Sequence, residues 1–492
     1  MTRDRTRGSR SGEYIGSIER NLLESHLKGR IIKTKQGSYG FVYIVEQDAY
    51  PRYVSYKTTK DHYEKDKIEA FKREIKVWFN LKGHPLIVTP FRIEIYEGRP
   101  LVAMPYCKLN LRDYLNDRTR LEPLEALLFT AQILKALIHA RHRGIEAHQD
   151  LKPENVLLED LKEKFSSWPP KHVHPSFRWQ VRIGDFGTAN AWKELGKPYG
   201  TKPYMAPEQW QMKSRIERNT QIDQKIDFSK VDVFATGVIL YELLTGIHPV
   251  GLKTSDVWPV PRTGFPNKYK HDGVWKKWSK KANQILTFEN IALDDALQSL
   301  VKMMLEPDPN RRPSLQHALK HVMLLISNID KSSAESLQLL FDYYDFLATY
   351  QENYSRLHSR LALTVLPDAR ADIAKELLDE INETYPKIKS PSEAIYFCEL
   401  CYAAAKLMML EKEADRDLLL SLAKKIINVA TRWKGEIRTY HKNPEMKMRE
   451  IVIMETPQFK DFEVFAEIVG YAAKIYERVK GREETKLFFE VM

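Results

Sequence analysis

An octapeptide, His-Gln-Asp-Leu-Lys-Pro-Glu-Asn at residues 148–155, constrains this chain more than any other feature. It brings together a carboxylate (Asp150), a cation (Lys152) and a side-chain amide (Asn155). Phosphoryl transfer needs a base near the attacking hydroxyl, positive charge on the migrating phosphate and oxygen ligands for Mg²⁺. These three side chains can supply one of each, so the octapeptide predicts a phosphoryl-transfer site, provided that its partners occur elsewhere in the chain.

The partners follow in a fixed order. A Gly-Asp-Phe-Gly string places Asp185 just after a predicted strand at residues 179–183, and residues 200–208 read GTKPYMAPE. An apolar helical pattern with Asp232 near its start covers residues 231–244, and residues 309–313 read PNRRP. In this order the motifs resemble those of the protein kinase family: its catalytic loop, its Asp-Phe-Gly motif and the end of its activation segment.

The resemblance implies an α+β, bilobal protein-kinase fold. It predicts a small β-rich N-lobe at residues 28–104, a hinge at 105–107 and a larger helical C-lobe at 108–326. Residues 1–27 are basic and polar and are expected to form a disordered tail. Residues 327–492 have helical patterns and are predicted to form an all-α C-terminal domain, either a bundle or a short solenoid.

Upstream of the octapeptide, a glycine-rich hairpin is predicted between two β-prone runs. Gly37 and Gly40 match the family pattern G-x-G-x-x-G-x-V, and Val42 matches its valine, whereas Lys35 replaces the first glycine. Glycines let backbone N–H groups approach phosphates without a Cβ in the way. The resemblance therefore predicts nucleotide binding by the hairpin, with Ser38 between the two glycines.

Further nucleotide-site residues follow from the resemblance. Lys57, in an alternating strand pattern, matches the lysine that contacts the α and β phosphates, and Glu74 on a predicted helix is its expected ion-pair partner. Met104 ends a predicted strand at the back of the nucleotide pocket. The hinge that follows, with Tyr106 and Cys107, is expected to bond the adenine edge.

The implied chemistry is transfer of the γ-phosphate of ATP to Ser or Thr of protein substrates, with autophosphorylation. Asp150 is expected to accept the proton of the substrate hydroxyl, and Lys152 to neutralise charge on the γ-phosphate. Asn155 and Asp185 are expected to hold two Mg²⁺ ions, with Mn²⁺ as an alternative metal. In the family, a lysine in the position of Lys152 is typical of Ser/Thr kinases.

Gln149 departs from the family pattern, which has Arg at this position. The family's Arg often grips a phosphate on the activation loop, and a neutral Gln cannot form that charge-assisted pair. The sequence therefore predicts activity that does not need phosphorylation of the activation segment.

Composition narrows the setting. Three cysteines in 492 residues exclude a disulfide scaffold and favour a reducing compartment, so a cytoplasmic protein is expected. The sequence contains no run of about 18 consecutive apolar residues, so integral membrane association is not expected. The most apolar stretch is residues 394–410. The net charge of +11 favours acidic partners. One local cluster is interpreted either as a solvated helix face or as a site for an acidic partner such as nucleic acid: Lys268, Lys270, Lys276, Lys277, Lys280 and Lys281.

Helical patterns in the C-terminal third cover residues 334–363, 369–384, 392–410, 415–433 and 459–479. This region is expected to bind a protein partner, regulate the N-terminal part or dimerise. Cys398 and Cys401 fall within one of the patterns, so buried packing is favoured over a metal or redox site.

Two other functional classes were weighed against an active protein kinase. A pseudokinase, a nucleotide-binding scaffold without catalysis, would lack at least one of the lysine, aspartate or asparagine residues named above, and all are present. A small-molecule phosphotransferase would lack a peptide-receiving segment like residues 200–208.

Overall fold

The computed structural model describes most of the chain up to residue 441. The described residues are 17–36, 40–48, 52–59, 74–75, 77–78, 80–81, 84–90, 92–96, 99–164, 169, 174–194, 198–218, 228–257, 267–288, 293–350, 370–389, 391–408, 415–441 and 472. The chain divides into two compact units, Met1–Glu352 and Asn353–Met492. The sequence placed a boundary at residues 326–327. The first unit extends beyond that point because one further helix packs on it.

An antiparallel five-stranded sheet forms the small lobe of the first unit, in the order β1-β2-β3-β5-β4. Its strands are β1 (Gly29–Gln36), β2 (Gly40–Gln47), β3 (Tyr53–Thr59), β4 (Arg92–Tyr96) and β5 (Arg99–Pro105). Alternate residues of β3 point to one side, so Val54 and Tyr56 are buried while Lys57 faces the other side. The predicted β-rich N-lobe is therefore present.

The predicted disordered tail is wrong for its last eleven residues, which form helix α1 (Ser17–Leu27). Leu23 and Leu27 are spaced by one helical turn and are buried in the same apolar cluster as Ile31. The carboxylate of Glu24 also accepts a hydrogen bond from the backbone N–H of Ile31 at 2.8 Å. Burial of these leucines stabilises the helix. The prediction of disorder followed the basic, polar composition of residues 1–27 and overlooked this pair of leucines.

The large lobe is helical and carries a second, three-stranded sheet in the order β6-β7-β8. Its strands are β6 (Leu109–Asn110), β7 (Val156–Asp160) and β8 (Trp179–Ile183). The described helices of this lobe, in chain order, are α2 (Leu111–Asn116), α3 (Pro123–His142), α4 (Leu161–Lys164), α5 (Ala191–Glu194), α6 (Pro207–Glu217), α7 (Val231–Thr245), α8 (Thr254–Val257), α9 (Asp272–Ser279), α10 (Asp295–Met304) and α11 (Leu315–Ile329).

Helices α3 and α7 form the centre of the large lobe. Every residue of α7 is buried, including Asp232 and Glu242. By length and hydropathy, α3 could cross a membrane, but 83% of its apolar window is buried inside the protein. It is therefore a core helix. The sequence had singled out residues 394–410 as the most apolar stretch, and α3 is instead the described helix that meets these criteria.

Helix α12 (Lys331–Tyr350) follows the large lobe directly and packs on its rear surface. The hydroxyl of Tyr344 donates to Oε1 of Gln180 on β8 at 2.9 Å. The same Gln180 donates through Nε2 to the backbone carbonyl of Pro85 at 3.0 Å. Lys135 of α3 pairs with Asp345 at 2.5 Å. These contacts join α12 to the strand that leads into Asp185.

The second unit is described as three helices: α13 (Arg370–Thr384), α14 (Pro391–Met408) and α15 (Arg416–His441). They match three of the five predicted helical patterns, and α12 covers part of the first, residues 334–363. The fifth pattern, residues 459–479, lies outside the described residues except for residue 472. Cys398 and Cys401 are fully buried on α14, and burial raises the pKa of both thiols. Within the described part of the chain, no further His, Cys, Asp or Glu completes a metal cluster with them.

Candidate active site

Asp150, Lys152 and Thr201 form a closed triangle of hydrogen bonds. The Thr201 hydroxyl donates to Oδ1 of Asp150 at 2.6 Å, and the Lys152 ammonium donates to Oδ2 at 2.8 Å. Lys152 also donates to the Thr201 hydroxyl oxygen at 2.8 Å. Asp150 therefore already accepts a hydrogen bond from an alcohol, with a cation beside it. This is the arrangement needed to take a proton from a substrate hydroxyl.

The backbone around Asp150 is held by buried side chains. The Asp232 carboxylate accepts the backbone N–H of His148 at 2.7 Å and that of Gln149 at 3.1 Å. Gln149 has a φ of 70°, in the left-handed region, and Nε2 of Gln209 donates to its carbonyl at 3.0 Å. Gly200 has a φ of 146°, and a Cβ there would lie 2.9 Å from that carbonyl. The left-handed backbone at Gln149 is thus held through its N–H by Asp232 and through its carbonyl by Gln209.

Lys57, Glu74 and Asp185 meet at the lobe boundary. The Lys57 ammonium lies 2.5 Å from Oε1 of Glu74 and 3.0 Å from Oδ1 of Asp185. It also lies 4.8 Å from the centre of the Trp78 ring. A Cβ on Gly187 would come within 3.0 Å of the Glu74 carboxylate, so the Asp-Phe-Gly segment packs directly on this glutamate.

The charges of this trio do not balance, because two carboxylates share one cation. Burial raises the pKa of Glu74 to about 7, with Asp185 adding to the effect against the opposing pull of Lys57. Lys57 lowers the pKa of Asp185 to about 2. Burial alone would lower the pKa of Lys57, but Asp185 and Glu74 outweigh it, so its pKa is raised. Lys57 therefore stays charged and Glu74 titrates near neutral pH.

The residues that the sequence predicts to contact a nucleotide lie, where the structure describes them, on one side of the small sheet and at the start of the hinge. Val42 on β2 and Val102 on β5 both lie opposite Lys57 on β3. Gly40 begins β2 opposite Thr59. Met104 is buried near the end of β5.

Two hinge residues and two glycine-loop residues complete the predicted nucleotide set. Tyr106 and Cys107 are half-buried, and Tyr106 packs on Tyr53 of β3 with ring centres 5.7 Å apart. Gly37 and Ser38 lie outside the described residues. The hinge therefore adjoins the sheet that carries Lys57.

Asn155 and Asp185 could hold a divalent cation. Nδ2 of Asn155 donates to the carbonyl of Asp150 at 2.8 Å, which fixes the side chain that carries the amide oxygen. The backbone N–H of Gly184, next to Asp185, donates to the carbonyl of Asn155 at 2.9 Å. Carboxylate and amide oxygens suit Mg²⁺, and the excess negative charge around Lys57 favours a cation there. The donor set fits the metal that the sequence implies.

A second buried ion pair joins α6 to the turn between α10 and α11. Arg312 binds Glu208 through two bonds, Nη1 to Oε1 at 2.6 Å and Nη2 to Oε2 at 3.1 Å. Its remaining N–H groups reach the backbone carbonyls of Glu306 and Lys230, both at 2.9 Å. Of the two arginines in the PNRRP motif, Arg312 forms this buried pair, whereas Arg311 is exposed.

One buried cation beside the catalytic loop, Arg112, was not predicted from the sequence. Nε of Arg112 on α2 donates to Oε1 of Glu154 at 3.0 Å. Its Nη1 lies 3.7 Å from Glu242, and its Nη2 contacts the hydroxyl of Tyr204. That hydroxyl donates to Oε2 of Glu242 at 2.9 Å. No local pattern marks Arg112, because its partners come from three distant parts of the chain.

The sequence model of the protein kinase domain matches residues 33–324, which is more than half of the chain. The chain belongs to the protein kinase family. The Asp150 triangle and the Lys57 trio therefore lie in a kinase domain, whose members use ATP and a divalent metal and act on proteins.

Curated relatives match this kinase at modest identity. It is 28% identical over 317 residues to the serine/threonine protein kinase OSK3 of Oryza sativa subsp. indica, covering 63% of this chain and 52% of the relative. It is 26% identical over 260 residues to the liver/testis phosphorylase b kinase gamma catalytic chain of Rattus norvegicus, covering 51% and 53%. It is 29% identical over 259 residues to the carbon catabolite-derepressing protein kinase of Secale cereale, covering 51% and 42%. The kinase thus spans about half the length of these relatives.

Proposed function

We propose that the protein is an active serine/threonine protein kinase that transfers the γ-phosphate of ATP to protein substrates. The observation that carries the proposal is the Asp150 triangle, in which a carboxylate accepts a hydrogen bond from the Thr201 hydroxyl at 2.6 Å beside the ammonium of Lys152. A substrate Ser or Thr presents the same donor. Three relatives are named as protein kinases or a kinase catalytic chain, and one of them as serine/threonine-specific.

The reaction forms a bond between the substrate oxygen and the γ-phosphorus while the bond to the β–γ bridging oxygen breaks and ADP leaves. Asp150 orients the hydroxyl and receives its proton, and Lys152 offsets charge on the migrating group. Lys57, kept in place by Glu74, contacts the α and β phosphates. Bound Mg²⁺, held by Asn155 and Asp185, supplies further positive charge to the phosphates.

Glycine-loop residues Gly37, Ser38, Gly40 and Val42 cover the nucleotide in this proposal. Met104 closes the back of the pocket, and the backbone at Tyr106 and Cys107 bonds the adenine. We place the protein in the cytoplasm, where its cysteines stay reduced, and assign the second unit a protein partner.

Activity independent of activation-segment phosphorylation is part of the proposal. Gln149 is 4% exposed, and its Nε2 donates to the carbonyl of Thr188 at 2.7 Å. A neutral side chain already bound inside the protein offers no charge to a phosphate. We expect phosphatase treatment of the purified kinase to leave its rate on a peptide substrate unchanged, whereas loss of activity after treatment would contradict this part.

The test of the main proposal is an Asp150→Asn variant incubated with labelled ATP. Loss of the base is expected to lower protein phosphorylation and autophosphorylation by about 10²–10⁴-fold while ATP binding persists. Undiminished phosphorylation would overturn the proposal. Nucleotide binding without any phosphorylation by the unmodified chain would favour the pseudokinase alternative. Transfer to small molecules but not to proteins would favour a small-molecule phosphotransferase.

A further inference from the structure

The lysine cluster at residues 268–281 forms an ordered surface. Trp275 and Trp278 of α9 are buried one helical turn apart, and Nε1 of Trp275 donates to the carbonyl of Tyr269 at 2.8 Å. The helix and the turn before it are thereby held together. The cationic side chains at the surface, here named the lysine ridge, are Lys268, Lys270, Lys277, Lys280 and Lys281, and all five are exposed.

The lysine ridge adjoins the segment that carries Thr201. Lys202 pairs with Asp272 of α9 at 2.6 Å and donates to the carbonyl of Lys270 at 3.3 Å. The buried His248 contacts the same two elements. Its Nε2 lies 3.0 Å from the carbonyl oxygen of Pro203, and its ring centre lies 4.9 Å from that of Trp278. A substrate bound with its hydroxyl at Asp150 must therefore pass close to the ridge.

Among the residues that the structure describes, carboxylates do not neutralise the ridge. Asp272 is the single acidic residue in residues 267–288, and it is shared by Lys202 and Lys213, each at 2.6 Å. Within the described part of the chain, the five ridge lysines form no ion pair. Exposed cations this close together create a positive potential that attracts anionic segments and weakens with salt.

The carboxylates beside the catalytic loop, in contrast, already have an internal cation. Glu154 and Glu242 both face Arg112, which is 4% exposed. A basic residue of a substrate would have to compete with this buried arginine for them. On the side of the catalytic loop that faces the ridge, the lysines are therefore free to bind an anion, whereas Glu154 and Glu242 are already paired.

We propose that this kinase selects substrates whose acceptor residue is flanked by an acidic segment, which binds the lysine ridge. The inference rests on the proposed function. It favours an acidic peptide over nucleic acid because the ridge is continuous with the peptide-receiving segment through Lys202. An extended peptide covers about 3.3 Å per residue, so carboxylates several positions from the acceptor reach along the ridge.

The experiment uses the full chain and peptides with one serine acceptor flanked on either side by Glu, Gln or Arg. We expect kcat/KM for a Glu peptide to exceed that for the Gln peptide by about tenfold at low salt, mainly through KM, and the difference to shrink at 0.5 M NaCl. The K277Q/K280Q/K281Q variant should lower this ratio about tenfold, and the matched K302Q/K320Q/K331Q variant should preserve it. A K277E/K280E/K281E variant should shift the preference towards Arg.

Equal use of Glu and Gln peptides, or a preference for Arg, would overturn the acidic selection and leave the kinase function intact. Phosphorylation of no peptide and no autophosphorylation would overturn both. A labelled oligonucleotide that binds through the ridge lysines, together with no peptide preference, would replace the acidic peptide with nucleic acid.

Discussion

Two buried ion-pair groups in the same domain differ in how completely they are satisfied. The guanidinium of Arg312 and the carboxylate of Glu208 match one for one, and the remaining N–H groups bind backbone carbonyls. In the other group, Lys57 alone serves both Glu74 and Asp185. In the Arg312–Glu208 pair every charge has its partner, so we call this pair saturated, and it joins α6 to the turn before α11. The second group keeps surplus negative charge and one titrating carboxyl, which suits a site that binds a metal and a nucleotide.

The saturated pair should control stability. An Arg312→Met change leaves Glu208 buried and unpaired, so the free energy of unfolding should fall by about 3–5 kcal/mol. Urea denaturation measures this loss. The matched control is Arg311→Met, whose side chain is 75% exposed and should cost less than about 0.5 kcal/mol. Similar losses for the two variants would remove the distinction between the pairs.

The unsaturated trio should control catalysis more than stability. A Lys57→Met change should lower kcat/KM by roughly 10²–10³-fold, because it removes a preorganised cation from the phosphates. It should change the unfolding free energy much less than Arg312→Met does. Peptide phosphorylation and urea denaturation of the same preparation compare the two effects, with Lys33→Met on the exposed side of β1 as control. A large stability loss with retained activity would reverse the assignment.

The pH dependence of activity and of stability between pH 5 and 8 should come from Glu74 and not from the Arg312–Glu208 pair. The folded pKa of Glu74, about 7, lies above the ordinary glutamate pKa of 4.5, which applies to the unfolded chain. Below pH 7 the carboxyl takes up a proton and releases Lys57, so activity should fall about tenfold per pH unit. Its contribution to stability has the opposite trend: it is fully present below pH 4.5 and is lost as the pH rises through 7.

Rate profiles and thermal unfolding between pH 5 and 8 measure both trends for Glu74. A Glu74→Gln variant has no titrating carboxyl, so both dependences should flatten in that variant. An unchanged acidic limb in the rate profile would assign the titration to another group.

A smaller effect is expected where α12 meets the kinase domain. A Tyr344→Phe change keeps the ring but removes the hydroxyl that donates to Oε1 of the buried Gln180 at 2.9 Å. Loss of this hydrogen bond should cost about 1–2 kcal/mol of stability. Because Gln180 lies on β8, the strand that leads into Asp185, the KM for ATP should rise modestly. Denaturation and ATP titration would both be unchanged if α12 were only loosely attached.

Local sequence motifs predicted the parts of the site that lie close together in the chain. Asp150, Lys152 and Asn155 fall within six residues, and Asp185 directly follows a strand of clear pattern. The Lys57–Glu74 contact depends on tertiary structure and was predicted only through the family resemblance. In the structure the Lys57 ammonium lies 2.5 Å from the Glu74 carboxylate.

Other features could not be read from local patterns. Arg112 is a single arginine on a short helix, and its role depends on Glu154, Tyr204 and Glu242, which come from three other elements. Helix α1 follows an arginine-rich stretch, and its burial depends on the sheet that its two leucines contact. The extent of the first unit depends on Tyr344 and Asp345, whose partners Gln180 and Lys135 are more than 160 residues away.

Asp232 ties the catalytic loop to α7, a helix in which every residue is buried. Both amide hydrogens that it accepts, from His148 and Gln149, belong to the loop, while the carboxylate belongs to α7. The loop cannot open unless these bonds break and leave a buried charge without donors. In hydrogen–deuterium exchange these two amides should therefore be protected like the interior of α7 and not like a surface loop. We therefore expect the loop that meets the substrate to open as rarely as the core helix to which it is bound.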